Sequence, residues 1–236
     1  MADGPVAMLP VAQLYARDVP LLRPPGGSEA DLLQVLWCPL DHPEEIYMPR
    51  TAVFWRSAAA VTDILTSPPE PPLVECEEYV PVPCVLAPEE VTEYPSSSEL
   101  SKELQEQLGD WSRWQGVDGV DSSYAPYPES FYHNALSVAP GWKAGGWAQW
   151  GYTDPSPRIC RACGTEMDPL LTIATFEWNA ADDSWIPYEV RDAAASTGDR
   201  HRDAVRPTRV QIGSGYKQQL YICPASPEHP HMELMQ

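Results

Sequence analysis

The chain has 236 residues, a formal net charge of −19 and a 43% hydrophobic fraction, enough apolar content to bury a real core. That charge argues against a nucleic-acid binder, which needs a basic surface, and no apolar run approaches the length of a membrane span. Nine tryptophans and eleven tyrosines argue against disorder, while 27 prolines, about twice the average share, predict short strands joined by shaped loops.

The opening "MADGPVAMLPVAQLYARDVP" lacks a basic n-region and a long apolar core, so it does not read as a signal peptide, and the expected compartment is the cytoplasm. Strands are predicted at "PVAQLYARDV", "DLLQVLWC" and "TAVFWRSA", where β-branched and aromatic residues crowd between Gly/Pro/Asp clusters. They make a first β unit over residues 5–66. Residues 67–95, rich in proline and glutamate, read as a wrapped loop or edge segment. Asp63 to Asp110 holds twelve carboxylates and one lysine, Lys102, an acidic face that is either a dock for a basic protein or a solubilising surface.

Next comes "SSSELSKELQEQLGDWSRWQ". Leu100, Leu104, Leu108, Trp111 and Trp114 recur at steps of three and four, which predicts one amphipathic helix over about 97–115, packed on a sheet. Ser96 to Glu99 has capping-box spacing for its start, and Gly116 suits its end. The acidic loop and this helix form a middle segment, 67–116, and a second β unit covers 130–236 within one domain, 1–236.

In that unit "SVAPGWKAGGWAQWGY" offers Trp142, Lys143, Trp147 and Trp150 among glycines. They form either an aromatic ligand pocket with Lys143 as its charged contact, or core indoles over a turning chain. Strands follow at "PLLTIATFEW" and "YKQQLYIC", separated by the polar run 191–209, which reads as a mobile loop and holds five of the fifteen basic residues. The two ends of the chain resemble each other: strand, glycine turn, strand, Cys-Pro, His-Pro. Leu33 to Cys38 aligns with Gln218 to Cys223, which predicts two pseudo-equivalent β units. The expected fold is therefore α+β and β-rich, with two pseudo-repeated antiparallel units and one main helix.

"PRICRACGTEM" carries a zinc knuckle, Cys160-x2-Cys163-Gly164, in which the glycine permits a turn that aims both sulfurs at one ion. If "PLLTIATFEW" and "YKQQLYIC" are antiparallel neighbours, the start of the first lies beside the end of the second. Cys223 and the "PASPEHPH" that follows then reach the knuckle. The predicted site is a tetrahedral Cys₃His zinc centre of Cys160, Cys163, Cys223 and His229, with His231 as the substitute for His229. Four protein ligands leave no open position, so the ion is structural. Six cysteines without an export signal favour metal over disulfides. The first unit has Cys38 and His42 but no knuckle; these two residues either pack and hydrogen-bond or mark a degenerate copy. A second site drawing on Cys76 or Cys84 carries little weight.

No P-loop, dinucleotide fingerprint, nucleophile elbow or HExxH helix occurs. His133, near Glu129, invites an acid–base reading, but a lone histidine among aromatics is more often a hydrogen-bonder. No catalytic residue is expected.

"GWKAGGWAQW", "CRACGTEMDPLLTIATFEW" and "QLYICPASPEHP" together resemble the YwqG-like family of bacterial domains of unknown function, in its cysteine-bearing actinobacterial branch. Lys143, Gly145, Gly146 and Trp147 match its lysine-Gly-Gly-aromatic mark, and "PVAQLYARDV" with Gln13 matches its strand mark, for which "PLLTIATFEW" has Thr172 in place of the glutamine. The resemblance spans residues 5–66 and 130–231 and implies two related β halves and an immunity-like or partner-binding role. The expected function is thus a non-enzymatic, zinc-stabilised protein-binding domain with a basic protein partner. The alternative is a small-molecule binder or enzyme built on Trp142–Trp150 and Lys143.

Overall fold

The computed structural model describes residues 4–43, 47–115, 124, 126–179, 184–195 and 197–236. Strands β1 (Leu9–Tyr15), β2 (Leu32–Trp37) and β3 (Thr51–Arg56) form one antiparallel sheet in that order. Strands β4 (Lys143–Ala144), β5 (Asp168–Ala174), β6 (Lys217–Ile222) and β7 (Met232–Met235) form a second antiparallel sheet, again in chain order. The fold is α+β, as the sequence predicts. All five predicted strands are present, while β4 and β7 are additional.

Alternation explains the first sheet. Leu33, Val35 and Trp37 of β2 point inward and are fully buried. On the other face Gln34 donates to Gln13 at 2.8 Å and accepts from Arg56 at 2.9 Å, a polar ladder across all three strands. One apolar cluster draws on both sheets, joining Leu9, Leu33 and Trp37 to Leu171, Ile173 and Leu220.

The register shows how alike the two units are. Pairing of β1 with β2 shifts between Pro10 and Ala12, and pairing of β5 with β6 shifts between Pro169 and Leu171. Proline lacks the N–H that the ladder needs, so each unit accommodates it with a bulge at the same place. Gln13 then faces Gln34, and Thr172 faces Gln219. Counting along β2 and β6 from those pairs brings Cys38 into correspondence with Cys223, the alignment that the sequence suggests.

The units also meet through a buried polar seam. Glu233 on β7 accepts from the Thr51 N–H at 2.7 Å and from Gln218 Nε2 at 2.9 Å, and Gln218 also donates to the Pro49 carbonyl at 3.0 Å. Burial opposes the Glu233 charge, but hydrogen bonds from His231 and Thr51 outweigh it and hold the carboxyl below its ordinary value.

The middle segment departs from expectation. In place of one continuous helix over 97–115 there are a 3₁₀ turn (Ser97–Glu99), helix α1 (Lys102–Leu108) and another 3₁₀ turn (Trp111–Arg113). Two side chains cause the breaks. Ser101, in extended geometry, caps the Leu104 N–H, and Asp110 accepts from the Ser112 N–H to start the next turn. Ser96 makes no cap; its hydroxyl pairs with Ser98 at 3.0 Å. No residue of α1 is buried, so it does not pack into a sheet. Trp111 and Trp114 pack instead on Phe131, which ends helix α2 (Pro128–Phe131). The predicted stop at Gly116 lies outside the described residues.

Residues 67–95 do wrap the protein, with Glu75 bonded to Pro39, Val82 to Thr208 and Tyr94 to Leu136 through their backbones. The run 191–209 is not a plain loop. It forms α3 (Arg191–Ala194) and α4 (Asp199–Val205), buries Val205, and places Arg206 5.5 Å over the Phe176 ring. Helices this short make too few turns to show an apolar stripe in the sequence.

Candidate metal centre

Strand pairing builds the site. Asp168 at the start of β5 faces Ile222 at the end of β6, so the knuckle before β5 and Cys223 after β6 share one end of the hairpin. The knuckle is a tight turn in which Gly164 N–H donates to the Cys160 carbonyl at 2.8 Å and Cys160 N–H to Thr165 at 2.8 Å. Gly164 sits at φ +74°, in the left-handed region that glycine enters without cost.

Cys160, Cys163, Cys223 and His229 present ligand atoms that all lie within 4.8 Å of one another. Cys163 Sγ is 3.5 Å from Cys223 Sγ, while His229 Nδ1 is 3.3 Å from Cys223 Sγ and 3.7 Å from Cys160 Sγ. A tetrahedral ion with metal–sulfur bonds of about 2.3 Å needs sulfurs separated by roughly 3.8 Å, close to these spacings. The cluster can therefore coordinate a metal ion, as the sequence predicts, and His229 offers Nδ1.

His231 belongs elsewhere. Its Nε2 lies 2.9 Å from Thr51 Oγ1 and 3.2 Å from Glu233 Oε1, in the seam between the units. His231 thus bonds a residue of the first unit and lies outside the cluster.

The surroundings favour metal binding. Cys160 and Cys223 are buried with Met167, Tyr221 and Ala148, and Trp150, Met232 and Leu234 pack around them. Arg158 lies 5.6 Å from the Trp150 ring centre and 5.4 Å from that of Tyr221, and its carbonyl accepts from the Met167 N–H. Cys163 alone is exposed. Hydrogen bonding with the Thr165 hydroxyl and N–H pulls its thiol down to about 6, while burial pushes the Cys223 thiol up. The loop that delivers His229 is clamped from the first unit, where Gly26 N–H donates to Pro224 at 2.9 Å.

The other cysteines are elsewhere: all six are free thiols, and Cys84 is exposed while Cys38 and Cys76 are half-buried. Among the described residues no second cluster of three or more His, Cys, Asp or Glu ligands is found. His133 is exposed.

The four aromatic-segment residues take separate roles. Trp142 donates to the Ala174 carbonyl at 2.8 Å and packs against the main core, whereas Trp150 packs beside the sulfurs. Trp147 is 44% exposed. Lys143 is paired with Glu93 at 2.8 Å, with little of either side chain exposed. Glu93 is the residue that sequence reading missed, one carboxylate among twelve in its segment.

No helix among the described residues is long and apolar enough to cross a membrane. The chain matches none of the family models, curated proteins or solved structures with which it was compared.

Proposed function

We propose that the chain is a zinc-stabilised protein-binding domain whose acidic segment docks a basic partner, in the manner of an immunity protein. Zinc is the ion that three thiolates and one imidazole in tetrahedral spacing suit, and four protein ligands leave it no position for substrate. Retention of free thiols for this purpose fits a reducing compartment, the cytoplasm.

One observation carries the binding role. The irregular segment from Ile64 to Tyr94 exposes Ile64, Leu65, Val85, Leu86 and Val91, and Val85 is 98% exposed, between runs of glutamate. Exposed apolar groups rimmed by like charge are a docking surface: the charge steers a basic partner in and the apolar groups supply affinity. Kinship with YwqG-like domains belongs to the same proposal and rests on the sequence mark of Lys143, Gly145, Gly146 and Trp147.

Selection of a random peptide library on the immobilised chain tests the reading. Enriched peptides carry Lys or Arg beside apolar residues, weaken with salt, and lose binding to a Val85→Asp/Leu86→Asp variant. Peptides without basic residues, or binding indifferent to the variant, would overturn it.

A further inference from the structure

The Lys-Gly-Gly segment forms a second site, distinct from the sulfur cluster. Gly145 and Gly146 both lie in the left-handed region, at φ +70° and +79°, so the chain curls into a concavity lined by N–H groups. Glu93 fills it. Oε1 accepts from Lys143 Nζ at 2.8 Å and from Trp147 N–H at 2.5 Å, and Oε2 accepts from Lys143 Nζ at 2.9 Å and from Ala139 N–H at 2.7 Å. A Cβ at Gly146 would collide with this carboxylate, so the glycine shapes the cradle to it.

A second lysine borders the cradle. Lys217, at the start of β6, donates to Gln149 and lies near enough to feel both Lys143 and Glu93. Burial, with the neighbouring Lys143 charge adding, pushes Lys217 down to about 7. Lys217 thus stands beside the cradle, bonded to Gln149 on the same segment, while Lys143 holds Glu93.

The occupant sits on a loosely tied strap. Its flanking backbone anchors are Val82 N–H on Thr208 and Tyr94 N–H on Leu136. Between them lies backbone outside any strand or helix, with Glu89 reaching the Tyr188 N–H at 2.6 Å.

We propose that the Lys143–Trp147 cradle is a binding site for small carboxylate ligands, that a second anionic group of the ligand faces Lys217, and that Glu93 is a built-in occupant which the ligand displaces. Planar two-oxygen recognition with paired donors on each oxygen selects carboxylate over spherical anions. Displacement removes the side-chain tie at Glu93 and loosens the neighbouring Tyr94 backbone anchor on Leu136. This inference does not depend on the protein-binding reading.

The test is thermal melting of Glu93→Ala in acetate, succinate and chloride at matched ionic strength, with amide exchange of the wild-type chain in succinate. Glu93→Ala melts lower. Acetate and succinate restore it saturably, succinate at a concentration several-fold lower; chloride does not, and Lys143→Met in the same background removes the effect. In the wild type, succinate speeds exchange of the Tyr94 amide, the strap's anchor beside Glu93. A carboxylate response no greater than that of chloride would overturn the site, and equal potency of acetate and succinate would overturn the role of Lys217. Should Glu93→Ala fail to fold, Glu93→Gln keeps the shape without the charge. Faster exchange of the Tyr94 amide in that variant supports the proposal, and unchanged exchange of it overturns the proposal.

Discussion

Cys38 and Cys223 close the second strand of their respective β units at equivalent register, yet only Cys223 faces a knuckle. The difference lies before the first strand of each unit, where the second has Cys160 and Cys163 and the first has no cysteine. Among the described residues, the two equivalent positions differ in that only Cys223 belongs to a cluster that can hold a metal ion.

This asymmetry predicts unequal substitutions. Cys223→Ser removes bound metal and lowers Tm, because ion binding to a structural site contributes folding free energy. Cys38→Ser leaves metal content unchanged. Elemental analysis and melting of the two variants check this, and equal loss in both would contradict it.

The histidines divide in the same way. His229→Ala weakens metal affinity. His231→Ala retains the metal but costs about 1–3 kcal/mol, since Thr51 and Glu233 lose a buried partner. Zinc competition against a chromophoric chelator, together with urea unfolding, separates the two effects.

Two glycines with similar backbone differ in surroundings. Gly164, at φ +74°, has nothing within 4 Å of an added Cβ, whereas Gly146, at φ +79°, would drive a Cβ into the Glu93 carboxylate. Gly164→Ala carries the left-handed strain alone, about 1–2 kcal/mol. Gly146→Ala adds the loss of the cradle contacts and is the more destabilising in denaturant unfolding.

Glu177 sets a pH dependence. Burial, with the Glu189 charge adding, lifts its carboxyl from 4.5 to about 7 against a Trp142 N–H that favours the carboxylate. Below pH 4.5 the folded and unfolded chains both hold the proton, and the residue costs nothing. Between 4.5 and 7 the unfolded chain ionises first, so stability falls as pH rises, and above 7 the full penalty stands. Glu177→Gln is therefore more stable than wild type by about 1–3 kcal/mol at alkaline pH and equal to it in acid. Urea unfolding at both extremes checks the sign.

The Cys₃His cluster was readable because its logic is local: a Cys-x2-Cys-Gly turn, a hairpin, and a cysteine closing its second strand. That His229 and not His231 joins the cluster was not, since the partner that holds His231 elsewhere, Thr51, is 180 residues away. Glu93 was hidden among similar carboxylates, and its partner turn read equally well as a pocket. The stripe from Leu100 to Trp114 was visible, but the caps at Ser101 and Asp110 that divide it act through side-chain bonds which periodicity does not register.

The most direct test of the account is the metal content of the chain purified without added zinc, beside Cys163→Ser. The account predicts one zinc per chain, lost in the variant along with thermal stability. A wild-type chain that carries no zinc and takes none up when it is supplied would contradict the closed Cys₃His centre.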